Sequence, residues 1–436
     1  MPLTAFRALA YLLRSSKCDA EELPELRLRR LRAMLAHAYE QVPFHRLRFD
    51  EAGVRPDAIQ SFEDLRRIPV TTRADLQSAD IQDMVAGSAR ARWLPGYTSG
   101  SVGVPLRVAW SRDEFWIDRL NNLRSFWRNG WRPPGAVVQT LRWRRTSSLP
   151  ARTLGRFGLA MPNLYVGDPP ERQLARLRHI RPSVVYGFTS YIGILAEAAL
   201  SHGVGGIRPK LIVTTADPLT ASIAGAIRQA FGCEPLQSYG SVELGTVAWE
   251  CRQGRKLHVH SDLYHVEVLR DGQTAAGGQT GEITCTSLFR YTMPLIRYQP
   301  GDLGVAGAGG CLCGAPHGYL EEFSGRTDSV VRLPSGRLLT ARLLSGPLSR
   351  YHQVRSFRIV QEARDRLVVE VVAGDGFEVE LEEGIRHDLR AATGGEAEVE
   401  VRRVQSIPLT TGRKQAVVVA LPPEGQAPAE SPGSAG

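Results

Sequence analysis

Several polar, glycine-containing segments of this 436-residue chain hold side chains that could bind an anion. The first is YTSGSVGVPLR, from Tyr97 to Arg107. Its small residues let the backbone approach a ligand, its hydroxyls offer hydrogen bonds, and successive N–H groups can form an anion-binding nest. This chemistry suits phosphates, although a flexible loop without a ligand can have the same composition. Because no lysine follows these glycines, the Walker pattern of P-loop kinases and ATPases is absent.

A second segment, SYGSVELG from Ser238 to Gly245, follows a predicted buried strand. Tyr239 could stack on a base, Gly240 would allow a ligand to come close, and Glu243 could hold a divalent cation beside phosphates. A tyrosine buried in the core and an exposed glutamate are the structural alternative. The segment therefore gains weight only in combination with others.

Three shorter polar turns come later in the chain. RYQPGDLG carries Asp302, which could accept hydrogen bonds from vicinal hydroxyls such as those of a ribose. GRTDSVV supplies Arg326 and Asp328, and IPLTTGRKQ supplies Lys414. Each turn is an ordinary loop when it is considered alone.

The elements that must position these segments alternate between helices and strands. The runs GAVVQTL, SVVYGF, PKLIVTTA and EPLQSYG predict short buried strands, and helices are predicted over residues 191–201 and 220–231. Near the N-terminus, an amphipathic helix is predicted over residues 28–42, with Pro43 as its end. This alternation indicates an α/β domain with a largely parallel sheet.

The second half of the chain has a different pattern. From residue 257, alternating strands predict an antiparallel or barrel-like β subdomain. After residue 325, three strands and a helix near residues 382–392 predict a small α+β unit, and the last residues have the composition of a disordered tail. We therefore expect a large domain over residues 1–325, a small domain over 326–422 and a tail over 423–436.

Composition argues against several classes of protein. With 43% hydrophobic and 23% charged residues, the chain can bury a substantial core. No apolar run reaches the roughly 20 residues of a membrane span, and the N-terminal segment LTAFRALAYLL is interrupted by Arg7, so we expect a cytoplasmic protein with no membrane partner. The net charge of +9 comes from scattered arginines without a basic stripe, which disfavours nucleic acid as a partner.

The cysteines suggest a separate metal site. Six are present, and a cytoplasmic chain should keep them reduced. Cys251, His258, Cys311 and Cys313 could form a tetrahedral Cys₃His zinc site, which would be structural because four protein ligands leave no open position. Three unconnected thiols and a surface histidine are the alternative. Three more histidines are other candidate nitrogen ligands: His260, His265 and His317.

The order of the polar segments along the chain is more informative than any one of them alone. TSGSxG, YGxxE, YxxGDL and GRxD are followed by a proline–threonine segment that ends at Lys414. This series resembles the acyl-adenylate-forming superfamily and, more narrowly, its phenylacetate-CoA ligase branch. The narrower resemblance rests on LAHAYEQVPFHRLRFDEAGVRPDAIQSFEDLRRIPVTTRADL, WECRQGRKLHVHSDLYHVEVL and CLCGAPHGYLEEFSGRTDSV. It covers the chain from Leu26 to Val418.

The resemblance implies a role for each segment. Tyr239, between Ser238 and Gly240, would pack on adenine, and Asp302 would bind the ribose hydroxyls with Arg326 nearby. The first loop would grip the β- and γ-phosphates of ATP through Thr98, Ser99, Gly100, Ser101 and Gly103.

The resemblance also implies the catalytic groups. Glu243 would meet Mg²⁺, and Lys414 would reach the carboxylate and the α-phosphate. The implied activity is ATP-dependent conversion of a carboxylic acid to an acyl-adenylate with release of pyrophosphate, and then transfer to a thiol, usually that of coenzyme A. The small domain would rotate about Asp328 between these steps. Some relatives carry zinc in the region of the cysteines.

The chain departs from the family pattern at several positions. Val102 and Leu106 stand where a threonine and, in the wider superfamily, a lysine are usual, and Ser329 replaces a second aspartate. Arg413 replaces a glycine before the catalytic lysine, and Asp217, counted with the nucleotide-binding residues, stands where glutamate is usual. An impaired relative that serves as an interaction subunit is therefore an alternative to an active enzyme.

Substrate and acceptor stay open at this point. An aryl acid is the family's leading example, and the acceptor could instead be a carrier-protein thiol or an amine. The tryptophan and arginines of residues 142–145 could contact the nucleotide end of coenzyme A or have no ligand, and a homodimer is one candidate assembly. Five aromatic residues could line the acid pocket or simply belong to the core: Trp143, Tyr165, Tyr186, Phe188 and Tyr191.

Overall fold

A computed structural model describes most of the chain. The described residues are 3–16, 18, 21–89, 93–97, 106–141, 162–217, 219–326, 330–339, 344, 347–348, 350–351, 353–374, 376–407 and 418–421. Helices and strands alternate through its central part and give way to strands alone in the third quarter.

The helices are α1 (Leu3–Ser16), α2 (Glu22–Gln41), α3 (Pro43–Glu51), α4 (Arg73–Ser78), α5 (Ile81–Met84), α6 (Arg112–Arg128), α7 (Pro170–Ile180), α8 (Thr189–Ser201), α9 (Ala221–Phe231) and α10 (Val379–Ala392). Short 3₁₀ helices cover Pro56–Ala58, Glu63–Arg67 and Gly87–Ala89. Among these described helices, none combines the length and the apolar character that crossing a bilayer requires.

The first strands are β1 (Thr71–Thr72), β2 (Leu94–Tyr97), β3 (Arg107–Trp110), β4 (Val137–Leu141), β5 (Asn163–Tyr165), β6 (Val184–Phe188), β7 (Leu211–Thr215), β8 (Pro235–Ser241), β9 (Gly245–Glu250), β10 (Leu257–Val259) and β11 (Tyr264–Arg270). The remaining strands are β12 (Gln273–Thr274), β13 (Thr280–Ser287), β14 (Tyr298–Gln299), β15 (Asp302–Ala306), β16 (Tyr319–Arg326), β17 (Val331–Arg332), β18 (Leu338–Leu339), β19 (Val354–Ala363), β20 (Arg366–Ala373), β21 (Glu398–Arg403) and β22 (Val418–Val419).

Five parallel strands form the centre of the molecule, in the order β5, β4, β6, β7, β8. Their short runs of valine, isoleucine and leucine are buried on both faces, as parallel strands require. Helices α7, α8 and α9 pack on one face, and α6 covers the other with Phe126 near Trp131. The predicted α/β class and the four predicted strands are confirmed.

The antiparallel strands continue the same hydrogen-bonded path. Strand β9 pairs with β8, and the order runs on through β10, β16, β15, β13 and β14 to β1, in a sheet of 14 strands. The strands predicted after residue 257 are therefore present, and they extend the parallel sheet edge to edge. This continuity places polar residues from both halves of the sheet near one another.

The N-terminal helices differ from the prediction in their bounds. Helix α2 begins earlier than predicted, at Glu22, and ends at Gln41. Pro43 does not only end it: this proline occupies the first turn of α3, where its missing N–H has no intrahelical partner to lose. Six of the described helices were not predicted: α1, α3, α4, α5, α6 and α7.

The C-terminal part has its own sheet and core. Strands β21, β20, β19 and β22 form a four-stranded sheet, and α10 packs on it through Ile385 and Leu389. The predicted strands and helix of this unit are confirmed, with the helix beginning at Val379. The boundary after residue 325 and the tail stay predictions.

Candidate active site

The carboxyl ends of the parallel strands carry the second predicted segment. Ser238 pairs with Thr215 of β7, and the chain turns back after Ser241 to begin β9 at Gly245. Gly245 has φ +85°, and a Cβ there would lie 2.5 Å from Asp118 Oδ1. Only glycine fits this turn, which therefore holds the segment against α6. In open α/β sheets, this edge is where ligands bind.

Tyr239 and Asp302 meet at this edge. The Tyr239 hydroxyl donates a hydrogen bond to Asp302 Oδ2 at 2.9 Å, and both side chains are buried. Burial raises the pKa of Tyr239, and the Asp302 carboxylate raises it further, so the hydroxyl stays protonated and can donate. Arg326 lies opposite Asp302 on the paired strand β16. Three residues predicted for one nucleotide are thus brought together.

Glu243 is held by two side chains that the sequence interpretation did not single out. Its Oε1 accepts a hydrogen bond from Arg73 Nη1 at 2.9 Å and another from the Tyr298 hydroxyl at 3.1 Å. The Glu243 side chain is only 4% exposed, so a nearby cation is needed to offset its buried charge. Glu243, the residue predicted to hold a divalent cation, is therefore a buried carboxylate paired with Arg73.

Arg73 reaches Glu243 because of its local structure. Thr72 and Asp75 form a capping box at the start of α4, which fixes Arg73 in the first helical turn. Strand β1 lies parallel to β14 with Thr71 opposite Tyr298, so both partners of Glu243 approach from one side. The capping sequence TTRAD in the N-terminal stretch was the available signal for this contact.

Asp217 lies at the same edge, two residues beyond β7. Its Oδ2 accepts a hydrogen bond from Ser190 Oγ at 2.7 Å, and its carbonyl accepts one from Thr189 Oγ1 at 2.8 Å. Both donors lie at the start of α8, so Asp217 is tied to that helix. The neighbouring strand β8 carries Tyr239, which makes the predicted grouping of Asp217 with the nucleotide residues geometrically consistent.

Several predicted site residues lie outside the described part of the chain: Thr98, Ser99, Gly100, Ser101, Gly103, Asp328 and Lys414. The hairpin on either side of the first loop is described. In it, β2 pairs with β3, and a Cβ at Gly96 would lie 3.5 Å from Val242 Cγ1. The base of the hairpin therefore packs beside the residue that precedes Glu243.

The proposed aromatic acid pocket divides into two groups. Tyr191 is 3% exposed and belongs to the core beneath α8, with its hydroxyl bonded to the Tyr165 carbonyl at 3.1 Å. Tyr186 lies on the opposite face, where its ring is 5.5 Å from that of Phe126 in α6. Phe188 is partly accessible at the strand end, and Trp143 lies outside the described residues. Among the described members of the set, Tyr191 is therefore a core residue, whereas Tyr186 and Phe188 are only partly buried.

The four predicted metal ligands form a compact cluster. The ligand atoms of Cys251, His258, Cys311 and Cys313 all lie within 4.8 Å of one another. The Cys251 and Cys311 sulfurs are 3.6 Å apart, and Cys313 Sγ is 3.2 Å from His258 Nε2. Tetrahedral zinc–thiolate bonds of about 2.3 Å would separate two sulfurs by about 3.8 Å, so the donor set fits zinc.

Turns and charges support this cluster. The N–H of Gly254 donates to Cys251 Sγ at 3.4 Å, and a side chain at Gly254 would collide with the Cys311 sulfur. Burial opposes ionisation of Cys251, but hydrogen bonds from the backbone and from the other two thiols together outweigh it and hold the pKa of Cys251 below the usual value. Burial raises the pKa of Cys313 to about 11. One thiol is thus prepared to ionise, and metal binding would have to deprotonate the other.

Of the three other candidate histidines, His260 and His265 have partners elsewhere, and His317 is buried but is not among the four clustered ligands. His260 Nε2 lies 3.1 Å from Ser125 Oγ, and its ring is fully buried beside the ion pair of Arg124 with Asp262. His265 lies 3.2 Å from an Arg27 nitrogen. His258 is therefore the histidine that joins the three cysteines among the described residues.

Comparison with known proteins shows clear relatives. The chain is 30% identical over 326 residues to the phenylacetate-coenzyme A ligase of Thermus thermophilus, covering 72% of this chain and 73% of that one. It is 26% identical over 417 residues to the enzyme of the same name from Escherichia coli, covering 91% and 94%. No protein-family model matches the sequence.

A solved structure with the same architecture is 2-hydroxyisobutyryl-CoA ligase in the postadenylation state. It superposes with a TM-score of 0.79 and 22% identity, over 94% of this chain and 91% of that one. At this identity the likeness establishes the fold. The α/β architecture is therefore shared across nearly the whole length.

Proposed function

This chain belongs to the phenylacetate-coenzyme A ligase family, and we propose that it activates a carboxylic acid with ATP and passes the acyl group to a thiol. The first step forms an acyl-adenylate and releases pyrophosphate. In the second step the thiol sulfur attacks the acyl carbon, and AMP leaves. The most favoured acceptor is coenzyme A, which the names of the relatives specify for those proteins.

The contact between Tyr239 and Asp302 carries this proposal. These residues are far apart in the sequence, yet a hydrogen bond of 2.9 Å joins them at the ligand-binding edge of the sheet. Asp302, with Arg326 on the adjacent strand, would receive the ribose, and the Tyr239 ring would lie along the base. A nucleotide bound there would direct its phosphates toward Glu243 and the hairpin of β2 and β3.

The chemistry requires positive charge at this edge. A carboxylate that attacks the α-phosphate brings two anions together, so the site must neutralise charge as the new bond forms. Lys414 is the proposed point charge on the reacting atoms, and backbone N–H groups of residues 98–103 would hold the outer phosphates. Mg²⁺ bound by Glu243 would supply further charge, with Arg73 balancing the same carboxylate when the metal is absent.

The small domain would complete the site. Lys414 belongs to the proposed small domain, and Asp328 follows directly after β16, which ends at Arg326 beside Asp302. Rotation about Asp328 would withdraw the lysine after adenylation and admit the thiol. Such a closure also keeps water away from the reactive anhydride.

We also propose that the Cys₃His cluster holds a structural zinc ion. Four protein donors within 4.8 Å would fill a tetrahedral shell, so the ion would stabilise the turns before β10 and β16. Metal analysis of the purified protein tests this directly. About one zinc per chain is expected, and a metal-free protein with a normal unfolding temperature would refute the proposal.

A pyrophosphate-exchange screen tests the proposed activity. Labelled pyrophosphate should enter ATP only when a suitable aryl or alkyl carboxylic acid is present, because the reversal of adenylation requires the bound acyl-adenylate. Absence of exchange across a broad panel, in protein that is folded, would favour the alternative of a non-catalytic interaction subunit. We propose that the protein is located in the cytoplasm.

A further inference from the structure

A group of polar side chains lies between α6 and the carboxyl ends of the parallel strands, beside the nucleotide edge. Arg119 Nη1 donates to Gln139 Oε1 at 2.7 Å, and the Arg119 guanidinium lies 5.1 Å from the centre of the Phe115 ring. Gln139 stands opposite Tyr186 on the adjacent strand. These four residues are only partly buried, which makes them candidates to line the acid-binding pocket.

Asp118 is the notable member of this group. Its Oδ1 accepts the Thr246 N–H at 2.7 Å, and the same oxygen faces Gly245. Gly245 is the last residue of the segment that holds Tyr239 and Glu243, and Thr246 follows it. Asp118 is therefore positioned beside the place where the acid must meet the nucleotide.

Asp118 is a partly buried residue whose carboxyl group is surrounded by protein. Burial raises the pKa of Asp118, and the backbone and side-chain hydrogen bonds from Thr246 together with the charges of Arg119 and Arg290 only partly compensate. Burial also raises the pKa of Tyr186 to about 12, with a further contribution from the Asp118 charge. A carboxylate kept in such surroundings is expensive and is typical of functional sites.

The carboxylate of Asp118 has acceptor capacity beyond its bond to Thr246. An ionised carboxyl group offers about four lone-pair directions on its two oxygens. An unsubstituted phenyl ring or alkyl chain placed against it would remove water from those lone pairs without replacing the hydrogen bonds. A substrate that carries an N–H or O–H group would replace them.

We propose that Asp118 is a specificity-determining residue that selects carboxylic acids carrying a hydroxyl or amino substituent on the part remote from the reacting carboxylate. This inference rests on the proposed function, because it names the substrate class of the same site. Gln139 and Tyr186 would flank the substituent, and the Tyr186 ring would lie along the apolar body of the acid. The pocket would thus accept an aryl or short acyl group with one polar end.

Matched pairs of acids test the inference in the full-length enzyme. Pyrophosphate exchange is measured with phenylacetate against its para-hydroxy and para-amino derivatives, and with benzoate against hydroxy- and aminobenzoates. For each parent acid, we expect kcat/KM to be about 10-fold or more higher with the preferred hydroxy or amino derivative than with the parent. The reason is that buried polar groups disfavour a substrate that leaves them unpaired. A ratio near one in every pair would overturn the inference.

Asp118→Asn supplies the second test. Asparagine keeps the shape and can still accept from the Thr246 N–H, but it carries no charge and presents an N–H₂ donor to the pocket. In this variant, the ratio of kcat/KM for the substituted acid to kcat/KM for the unsubstituted acid should fall at least several-fold. The control is Glu171→Gln, at a carboxylate whose side chain is 61% exposed, and it should leave this ratio unchanged. An unaltered ratio in a folded Asp118→Asn enzyme would contradict the inference.

The two proposals fail in different ways. Exchange that occurs without any preference would refute only the role of Asp118. Absence of exchange with every acid would refute the proposed function, and the inference would fall with it. The ratio in the unchanged enzyme remains decisive even where the variant does not fold.

Discussion

Strand β9 connects two regions of opposite character. Its first residue, Gly245, belongs to the proposed nucleotide-binding edge, which we call the nucleotide edge, and its last, Glu250, directly precedes the candidate metal ligand Cys251. Strand β16 makes the same connection in reverse, since it begins shortly after Cys313 and ends at Arg326. The nucleotide edge and the Cys₃His cluster are thus opposite ends of one piece of sheet.

The two ends are assembled differently. The cluster draws its four ligands from two short segments, residues 251–258 and 311–313, and its donor atoms already face one another. The nucleotide edge depends on contacts between remote segments, such as Arg73 with Glu243 and Tyr239 with Asp302. A structural site can be closed on itself, whereas a catalytic site must keep polar groups directed toward a ligand. Changes at the two ends should therefore have separable effects.

Loss of Lys414 should produce the largest effect. Lys414→Ala is expected to lower acid-dependent pyrophosphate exchange by about 10²- to 10³-fold, because one electrostatic contact to the developing charge is removed. The unfolding temperature should not change. Lys210→Ala, at an exposed lysine, is the matched control and should retain normal exchange. Normal exchange in the Lys414 variant would remove that lysine from the mechanism.

Asp302→Asn tests the nucleotide edge itself. Replacing the carboxylate by an amide should raise KM for ATP by about 10- to 100-fold, as expected for hydrogen bonds to a charged group. Tyr239→Phe removes the hydrogen bond between the two residues from the other side. In a double-mutant cycle the two changes should be non-additive, and strict additivity would argue that the contact is irrelevant to ATP binding.

Cys311→Ser tests the other end of the sheet. The variant should lose bound zinc and unfold about 5 °C or more below the unchanged protein, because structural metal binding contributes to folding. KM for ATP, measured well below the unfolding temperature, should change much less than in Asp302→Asn. Cys18→Ser, outside the cluster, is the control. An equal rise of KM for ATP in Cys311→Ser and Asp302→Asn would show that the cluster and the nucleotide edge are not functionally separate.

Arg73→Gln should have the smallest effect of the four. It leaves the Glu243 carboxylate, whose side chain is 4% exposed, without its cation, and we expect the free energy of unfolding to fall by about 1 to 3 kcal/mol. Urea denaturation measures the change. Arg55→Gln breaks the exposed pair with Asp50 and should cost less than about 1 kcal/mol. Equal losses of unfolding free energy in the two variants would show that burial of Glu243 does not strengthen its ion pair with Arg73.

The sequence was sufficient for much of this organisation. Runs of β-branched residues predicted the parallel strands, and motif order predicted that Tyr239, Asp302 and Arg326 act together. The sequence also predicted the Cys₃His set, from the closely spaced Cys311 and Cys313 and the short separation of Cys251 from His258, and the four ligand atoms lie together. The sequence pattern alone could not show that His258, and none of the three alternative histidines, would join the cysteines in the cluster.

The contacts that the sequence did not predict all involve tertiary packing. Arg73 lies at the start of a short helix, and its partner Glu243 is known only once β1 is placed beside β14. Asp118 lies on a helix that was not predicted, because α6 mixes charged and aromatic residues without a clear apolar stripe. Hydrophobic periodicity identifies a helix that buries one apolar face in a core. It gives no clear signal for a helix such as α6, which packs on the core and, in our proposal, also lines a pocket.

Direct detection of the intermediate is the most decisive measurement of the whole account. The enzyme is incubated with ATP, Mg²⁺ and an acid identified by exchange, and the products are analysed by mass spectrometry before and after coenzyme A is added. We predict an acyl-adenylate that accumulates without the thiol and is consumed, with release of AMP, when the thiol is supplied. Formation of ADP and phosphate with no acyl-adenylate would contradict the account.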